Sequence, residues 1–240
     1  MDRQLAENIA AWDSNLTMRA HDIESGLDTT YNKTIVPYVM GILNEYAPVT
    51  DFVLDIGSGC GFLTSQISKT YSVEGIDISR KAIEYSSRLY PKILFSQRDV
   101  CSAKVWRMFN FAVANMVINN LPDFDAFLRN INSMLSERGK LLIITPHPFF
   151  WAKDKVLDKD FVYGKACAYK IPFHIHHNSN YTNNIIYFHR SLEIYLNTII
   201  RNNFSLLRID EIYEHWKEKS SCQFPHMLGM LVSQNAMECK

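Results

Sequence analysis

Short apolar runs of strand length alternate with amphipathic stretches of helix length through most of the chain. This alternation is typical of an α/β fold, in which helices cover both faces of a mostly parallel sheet. Ser79 stands where a helix N-cap is expected, and a second N-cap is expected near Pro122-Asp123. The predicted strands span residues 51–56, 72–76, 93–96, 109–114, 140–145, 204–213 and 226–232, and the predicted core helices span residues 62–69, 79–89, 123–135 and 191–202.

Two segments do not follow this repeat. Residues 1–46 predict two or three helices, with residues 34–43 the most periodic, and residues 146–190 form an insertion after the fifth strand. Ten of the 30 aromatic residues and five of the eight histidines lie in that insertion. Such a concentration is more typical of a segment that covers a pocket than of a linker.

The length of the chain favours a single domain. Its 240 residues, 47% of them hydrophobic, suit one globular unit with a full core. We expect this domain to have four parts. They are a helical lid (residues 1–46), a cofactor-binding core (47–145), a substrate cap (146–190), and a C-terminal helix and strands (191–240).

The net charge and the spacing of the cysteines restrict the cellular location and the binding partners that the sequence predicts. The 25 Lys and Arg residues equal the 25 Asp and Glu residues, so no net positive field favours nucleic acid or an anionic membrane surface. The sequence contains no run of about 18 apolar residues, the length that a membrane-spanning helix requires. The five cysteines are scattered singly, without a C-x-x-C pair. We therefore expect a cytoplasmic protein that acts on a small molecule.

The glycine-rich turn after the first strand carries the strongest chemical signal. Gly57, Gly59 and Gly61 let the backbone approach a ligand closely, because residues without a Cβ leave room and adopt positive φ. The N-terminus of the following helix attracts an anionic group. The dinucleotide pattern G-x-G-x-x-G/A needs a small residue at position 62, where this chain has Phe62. The turn therefore departs from the dinucleotide fingerprint.

Two carboxylates accompany this turn at the ends of predicted strands. Asp77 follows Gly57 by 20 residues and ends the second strand, where a carboxylate accepts the hydroxyl protons of a ribose. Asp55 would repel a pyrophosphate but suits an ammonium group. Together the two acids favour a cofactor that carries both an adenosine-like group and an amino group.

These residues resemble two motifs of the class I S-adenosylmethionine-dependent methyltransferases. Residues 53–64, VLDIGSGCGFLT, resemble motif I, and residues 75–79, GIDIS, resemble the second-strand motif with its acidic ribose ligand. The resemblance implies a doubly wound, seven-stranded, Rossmann-like sheet and S-adenosylmethionine as the cofactor. The cofactor-binding residues it implies are Asp55, Gly57, Ser58, Gly59, Gly61, Asp77, Ile78, Asp99, Val100 and Asn115.

The same resemblance narrows the methyl acceptor. The fourth strand is followed by Asn115-Met116-Val117-Ile118, not by the Asn-Pro-Pro-Tyr sequence of relatives that methylate nitrogens in nucleic acids and proteins. The chain also lacks the two-glutamate loop typical of arginine methyltransferases. The resemblance therefore implies methyl transfer to an oxygen, nitrogen or carbon atom of a small molecule in a biosynthetic or modifying pathway.

Methyl transfer from a sulfonium makes a catalytic base optional, because the cofactor already carries the leaving group. If a base is used, the candidates are His147 and His189, since His147 directly follows the fifth strand at the edge where ligands bind. The alternative for each is a hydrogen-bonded structural histidine. In the cap, Phe150, Trp151 and Tyr187 are the expected substrate contacts.

Other residues of the lid and the cap carry weaker signals. Trp12, Arg19, Tyr31 and Lys33 could close over the cofactor, with ordinary helix packing as the alternative. A metal is not expected at His174, His176 and His177, because only two of these side chains share a face of an extended segment.

Three other functions stay open at this point. A nicotinamide-dependent oxidoreductase is disfavoured by Phe62 and Asp55. A non-catalytic cofactor-binding or scaffold protein of methyltransferase descent would bind the cofactor but lack a substrate cavity. An RNA or protein methyltransferase would need a local basic surface that the linear sequence does not display.

Overall fold

The computed structural model describes residues 2–156, 161–173, 181–213 and 224–236. The strands are β1 (Phe52–Ile56), β2 (Ser72–Asp77), β3 (Leu94–Gln97), β4 (Phe109–Asn115), β5 (Leu135–Pro146), β6 (Cys167–Pro172), β7 (Asn184–His189), β8 (Phe204–Ile212) and β9 (Met227–Gln234). The α-helices are α1 (Arg3–Glu24), α2 (Val36–Tyr46), α3 (Phe62–Ile67), α4 (Arg80–Leu89), α5 (Phe124–Met134), α6 (Phe150–Lys155) and α7 (Leu192–Arg201).

Seven strands form one sheet in the order β3-β2-β1-β4-β5-β9-β8. The strands β1 to β5 pair in parallel, while β9 runs antiparallel to both β5 and β8. The predicted doubly wound α/β fold with a mostly parallel seven-stranded sheet is confirmed. The carboxyl ends of β1, β2 and β4 therefore meet at one edge of the sheet, which is the usual ligand side of such folds.

Alternating side chains of the central strands build a core on each face of the sheet. Leu54 and Ile56 of β1 face the layer that contains α5 and α7, whereas Val53 faces the layer that contains α2 and α3. The N-caps predicted at Ser79 and near Pro122-Asp123 are confirmed, because the side chains of Ser79 and Asp123 accept the backbone N–H groups of Ala82 and Ala126, respectively.

Helix α2 is preceded by a single π-helical stretch, Tyr31–Ile35. Pro37 lies in the first turn of α2 and has no backbone N–H, so the regular bonding pattern is interrupted there. The N–H of Val36 instead donates to the carbonyl of Tyr31, five residues earlier. This wider turn lies beside the glycine-rich segment that the sequence singles out.

Strand β5 begins at Leu135, five residues before the predicted start. Arg138 adopts a φ of 59°, and a Cβ on Gly139 would lie 2.7 Å from the carbonyl oxygen of Ser136. The chain thus makes a tight irregularity there, and the register with β4 shifts between Phe109 and Phe111. The predicted break at Gly139 is therefore a bulge within a longer strand.

The cap contains regular structure that the strand–helix repeat does not predict. Helix α6 directly follows β5, and β6 pairs with β7 as a separate antiparallel hairpin. Helix α1 lies against β7, and its Ala11 and Trp12 pack with the hairpin's buried residues. Within the described residues, no helix combines the length and apolar composition needed to span a bilayer.

Candidate active site

The glycine-rich turn connects β1 to α3 with positive φ at each glycine, 67° at Gly57, 53° at Gly59 and 83° at Gly61. A Cβ on Gly57 would lie 2.5 Å from Cγ2 of Val117, so this glycine is required by packing within the protein. A Cβ on Gly59 would meet no described atom within 4 Å. Gly59 therefore borders open space that a ligand can fill.

Asp77, at the end of β2, is held firmly beside this turn. One carboxylate oxygen accepts the backbone N–H of Gly59 at 2.9 Å, and the other accepts the N–H of Ser79 at 2.8 Å. Burial raises the pKa of Asp77, and these backbone donors act in the opposite direction. Each oxygen keeps acceptor capacity toward the cavity that Asp77 lines.

Asp55 lies behind the turn rather than on the cavity lining. Its side chain is buried and accepts the hydroxyl proton of Thr64 at 2.6 Å. Burial raises the pKa of Asp55 to about 7, against the lowering effect of the Thr64 hydrogen bond. A cationic group near the turn would favour the ionised carboxylate.

A cavity of about 750 Å³ lies over the carboxyl edge of the sheet. Its floor includes the glycine-rich turn and Asp77, and α1 and the cap cover it. This volume lies within the range of about 300–1,000 Å³ that is usual for small-ligand pockets. Of the predicted cofactor residues, those on the lining are Gly57, Ser58, Gly59, Asp77, Ile78 and Asn115.

An ion pair stands on the lining near the glycine-rich turn. Arg19 of α1 contacts the carboxylate of Asp28, and its guanidinium carbon lies 5.2 Å from the ring centre of Tyr31. Asp28 also accepts the backbone N–H of Tyr31 at 2.8 Å. Arg19, Asp28 and Tyr31 all line the cavity. The pair thus places a guanidinium and a carboxylate side by side, which complements the two charged groups of an α-amino acid.

Three asparagines lie on the lining where β4 ends. The side-chain oxygens of Asn115 and Asn119 are buried and have no hydrogen-bond partner among the described residues. Asn120, by contrast, accepts the indole N–H of Trp12 at 3.1 Å and donates to the carbonyl of Met116 at 2.7 Å. The hydroxyl of Ser58 is likewise buried and unpartnered within the described chain. These unpartnered oxygens fit the polar groups of a bound ligand.

Four of the predicted cofactor residues lie off the lining. Asp55 and Gly61 support the turn from behind. Asp99 accepts the backbone N–H of Cys101 at 2.9 Å and the hydroxyl of Ser102 at 2.8 Å. Val100 is buried in the core layer that contains α5.

The structure places neither candidate histidine on the cavity lining. Nδ1 of His147 accepts the backbone N–H groups of Phe149 and Phe150, both at 3.3 Å. Nε2 of His189 lies 2.8 Å from the carbonyl oxygen of Tyr163, so Nε2 carries the proton and donates it. Burial lowers the pKa of both histidines. Both rings thus have structural partners at the base of the cap.

A different histidine, His226, lines the cavity. It directly precedes β9, which runs antiparallel to β5, so its position falls at the carboxyl edge of β5. The signal that could have identified it was the last predicted strand, residues 226–232, which begins at this histidine.

Of the three predicted substrate contacts in the cap, Trp151 lies on the cavity lining, whereas Phe150 and Tyr187 do not. Trp151 lines the cavity, together with Phe173 and with Trp12 of α1. Phe150 instead packs against His147, with ring centres 4.8 Å apart. Tyr187 is buried behind Trp151, and their ring centres are 4.9 Å apart.

The described residues hold no group of three or more His, Cys, Asp or Glu side chains that could bind a metal. His174, His176 and His177 lie outside the described residues.

The comparisons with known proteins agree with this geometry. Residues 50–219 match a family described as a methyltransferase domain. The chain therefore belongs to the class I S-adenosylmethionine-dependent methyltransferases, whose cofactor is S-adenosylmethionine. Membership in this family argues against the nicotinamide-dependent oxidoreductase hypothesis, which Phe62 and Asp55 already disfavoured. No curated protein matches the chain.

Solved structures show the same fold at low identity. An S-adenosylmethionine-dependent methyltransferase from Clostridium acetobutylicum is 14% identical with a TM-score of 0.68, over 92% of this chain and 98% of that one. The 1,6-didemethyltoxoflavin-N1-methyltransferase of Burkholderia thailandensis, solved with 1,6-didemethyltoxoflavin and S-adenosylhomocysteine, is 16% identical with a TM-score of 0.62. That match covers 98% of this chain and 92% of the other.

Proposed function

We propose that this protein transfers a methyl group from S-adenosylmethionine to an oxygen, nitrogen or carbon atom of a small molecule. The observation that carries the proposal is that one continuous cavity extends from Gly59 and Asp77 to the aromatic residues of the cap. One part suits the cofactor, and the rest leaves room for a second, smaller molecule. The toxoflavin methyltransferase holds two such molecules at once, which supports the proposal by analogy.

In the proposed arrangement, the residues around the turn hold the cofactor. Asp77 accepts hydrogen bonds from the ribose hydroxyls, because both its oxygens keep free acceptor capacity toward the cavity. The ion pair of Arg19 and Asp28 binds the amino-acid end, while the buried charge of Asp55 stabilises the ammonium from behind the turn. Asn115 and Ser58 supply further polar contacts. The cofactor contacts that the resemblance implies for Asp99 and Val100 stay a prediction.

The bound cofactor would supply a methyl group on a positively charged sulfur that leaves as a neutral thioether. The protein has to align the acceptor atom and exclude water. Helix α1 and the cap together cover the cavity and serve the second purpose. Where the acceptor must lose a proton, His226 is the proposed base, because it is a histidine on the lining. The earlier candidates, His147 and His189, then support the cap.

A labelled-methyl assay tests this proposal. The purified protein is incubated with methyl-labelled S-adenosylmethionine and, separately, with a small-molecule extract, total RNA and total protein from cells. We expect label in the small-molecule fraction, and much less there with Asp77→Asn when the cofactor is kept below saturation. Label confined to RNA or protein would contradict the small-molecule acceptor. Cofactor binding without transfer to any fraction would favour a scaffold role.

A further inference from the structure

We infer that the methyl acceptor is a flat aromatic molecule with a ring N–H or a phenolic O–H, and that the side-chain oxygen of Asn119 accepts its hydrogen bond. This inference rests on the proposed function and names the substrate class of the same cavity. It is carried by the lining residues at which α1 meets the cap and the turn after β4, here called the acceptor end. The acceptor end consists of Asn8, Trp12, Asn119, Asn120, Trp151, Lys155 and Phe173.

Three half-buried aromatic rings define the shape of the acceptor end. The rings of Trp12 and Phe173 meet edge to face with centres 4.7 Å apart, and Trp151 rests against the buried ring of Tyr187. The indole N–H of Trp12 is also bonded to Asn120. These contacts fix the rings in place, so their remaining faces form preorganised flat walls. A planar ring ligand gains more from such walls than a globular aliphatic one, because it can stack on them.

The polar groups at the acceptor end are mostly already paired. Asn8 donates to the carbonyl of Ile186 at 3.0 Å and accepts its N–H at 2.9 Å. Asn120 is occupied by Trp12 and Met116. These amides therefore shape the wall and hold α1 against the cap rather than bind a ligand.

Asn119 differs from its neighbours. The residue is only 5% exposed, and its side-chain oxygen has no partner among the described residues. A buried acceptor without a donor is unfavourable, and native proteins rarely keep one without a reason. Asn119 lies in the 3-10 turn Ile118–Asn120 that follows β4, on the cavity lining. A ligand N–H or O–H in the cavity would supply the missing donor.

The charges on the described lining favour an uncharged acceptor group. The described carboxylates on the lining are Asp13, Asp28 and Asp77, all on the cofactor side, and Asp28 pairs with Arg19. Among the described residues of the acceptor end, no carboxylate could balance a buried ammonium. We therefore infer an uncharged group for the part of the acceptor held between the rings. Lys155, which is exposed at the rim, tolerates an acidic substituent there.

The test uses the full chain saturated with S-adenosylhomocysteine and two matched pairs of probes. Indole is compared with benzofuran, and 7-hydroxycoumarin with coumarin, because each pair differs in one donor at nearly constant shape. 1-Adamantanol serves as a donor that is not flat. Affinities are measured by calorimetry for the wild type, Asn119→Ala and Asn119→Asp, where the aspartate keeps an acceptor oxygen at this position.

We expect at least one donor-bearing probe to bind about tenfold more tightly than its matched partner, as one hydrogen bond provides. 1-Adamantanol should bind more weakly than that probe. Asn119→Ala should abolish the tenfold preference, and Asn119→Asp should retain it. Equal affinities within both pairs, a preference that survives in Asn119→Ala, or no aromatic binding to the loaded protein would overturn the inference. Failure to bind S-adenosylhomocysteine at all would instead refute the proposed function.

Discussion

The carboxylate of Asp77 accepts the backbone N–H of Gly59 at 2.9 Å across the glycine-rich turn. This contact joins the end of β2 to the turn that follows β1, so Asp77, the proposed ribose ligand, and Gly59 form one unit. Asp77 is further oriented by the N–H of Ser79. A cofactor would therefore meet a preorganised edge, which lowers the entropic cost of binding.

Replacing Asp77 with asparagine should weaken S-adenosylhomocysteine binding roughly 10- to 100-fold. The amide has one acceptor oxygen instead of two, and it loses the charge that strengthens bonds to the ribose hydroxyls. Calorimetric titration of the folded variant measures the effect. Asp125→Asn is the matched control, because Asp125 lies on α5 and pairs with Arg129 and Arg201. Equal losses in both variants would remove Asp77 from the site.

The Gly59→Ala variant should show whether a Cβ at this position blocks the cofactor in addition to straining the backbone. Gly26 provides a matched control, since its φ is 78° and a Cβ there would also meet no described atom within 4 Å. Both alanine variants should lower the free energy of unfolding by about 1 kcal/mol through the left-handed backbone. Only Gly59→Ala should also lose tenfold or more in cofactor affinity. Urea unfolding and calorimetry measure the two effects, and similar affinities in both variants would refute the placement.

Asp55 should make the stability of the unliganded protein depend on pH. Its folded pKa of about 7 lies above the ordinary value of 3.8, so the folded state holds this proton more tightly than the unfolded state. The stabilisation is present below pH 3.8, falls as the pH rises, and is lost above about pH 7. Urea unfolding between pH 5 and pH 8 should show a decline for the wild type that is smaller in Asp55→Asn.

Binding of S-adenosylhomocysteine, the demethylated product of the cofactor, should release the proton that Asp55 holds. If the ligand ammonium lies near Asp55, it lowers the pKa of this carboxyl, and the protein releases a proton on binding near pH 6.5. Calorimetry in buffers of different ionisation enthalpy detects that release. Proton release of equal size in Asp55→Asn would assign it to another group.

Arg190 should contribute strongly to stability through the turn that carries Asn119. Its buried guanidinium donates to the carbonyls of Ile118, Phe188, Leu121 and Pro122 at 2.6–3.3 Å, which connects β7 to the segment after β4. Lysine cannot reach four carbonyls at once. Arg190→Lys should therefore lower the free energy of unfolding by about 2–3 kcal/mol in urea titrations. The exposed Arg201→Lys should change it little, and comparable losses in both variants would contradict this role.

The fold and the cofactor edge were largely predictable because both depend on local sequence. Apolar runs define the strands. The glycine-rich turn, Gly57–Gly61, directly follows the first predicted strand, and Asp77 directly follows the second. Strand β9 was also predicted, yet His226, the residue directly before it in the chain, was not recognised as a cavity residue. Sequence places His147 and His226 at the same edge but does not show that backbone donors of α6 hold the His147 ring away from the cavity.

The acceptor end could not be predicted, because it depends on contacts between distant parts of the chain. Asn8 meets Ile186 across 178 positions, and Trp12 meets Asn120 across 108. Helix periodicity indicates that α1 is amphipathic but does not identify the surface it covers. The hairpin of β6 and β7 was missed for a similar reason, since the two strands are separated by a stretch with no tight-turn sequence that would pair them.

Calorimetric titration of the wild-type protein with S-adenosylhomocysteine and, in parallel, with NADH tests the central claim most directly. It requires no knowledge of the acceptor, and both ligands carry an adenosine that could engage Asp77. We predict saturable, one-to-one, micromolar binding of S-adenosylhomocysteine and no binding of NADH. Binding of NADH alone, or of neither ligand by the folded protein, would contradict a methyltransferase site at this cavity.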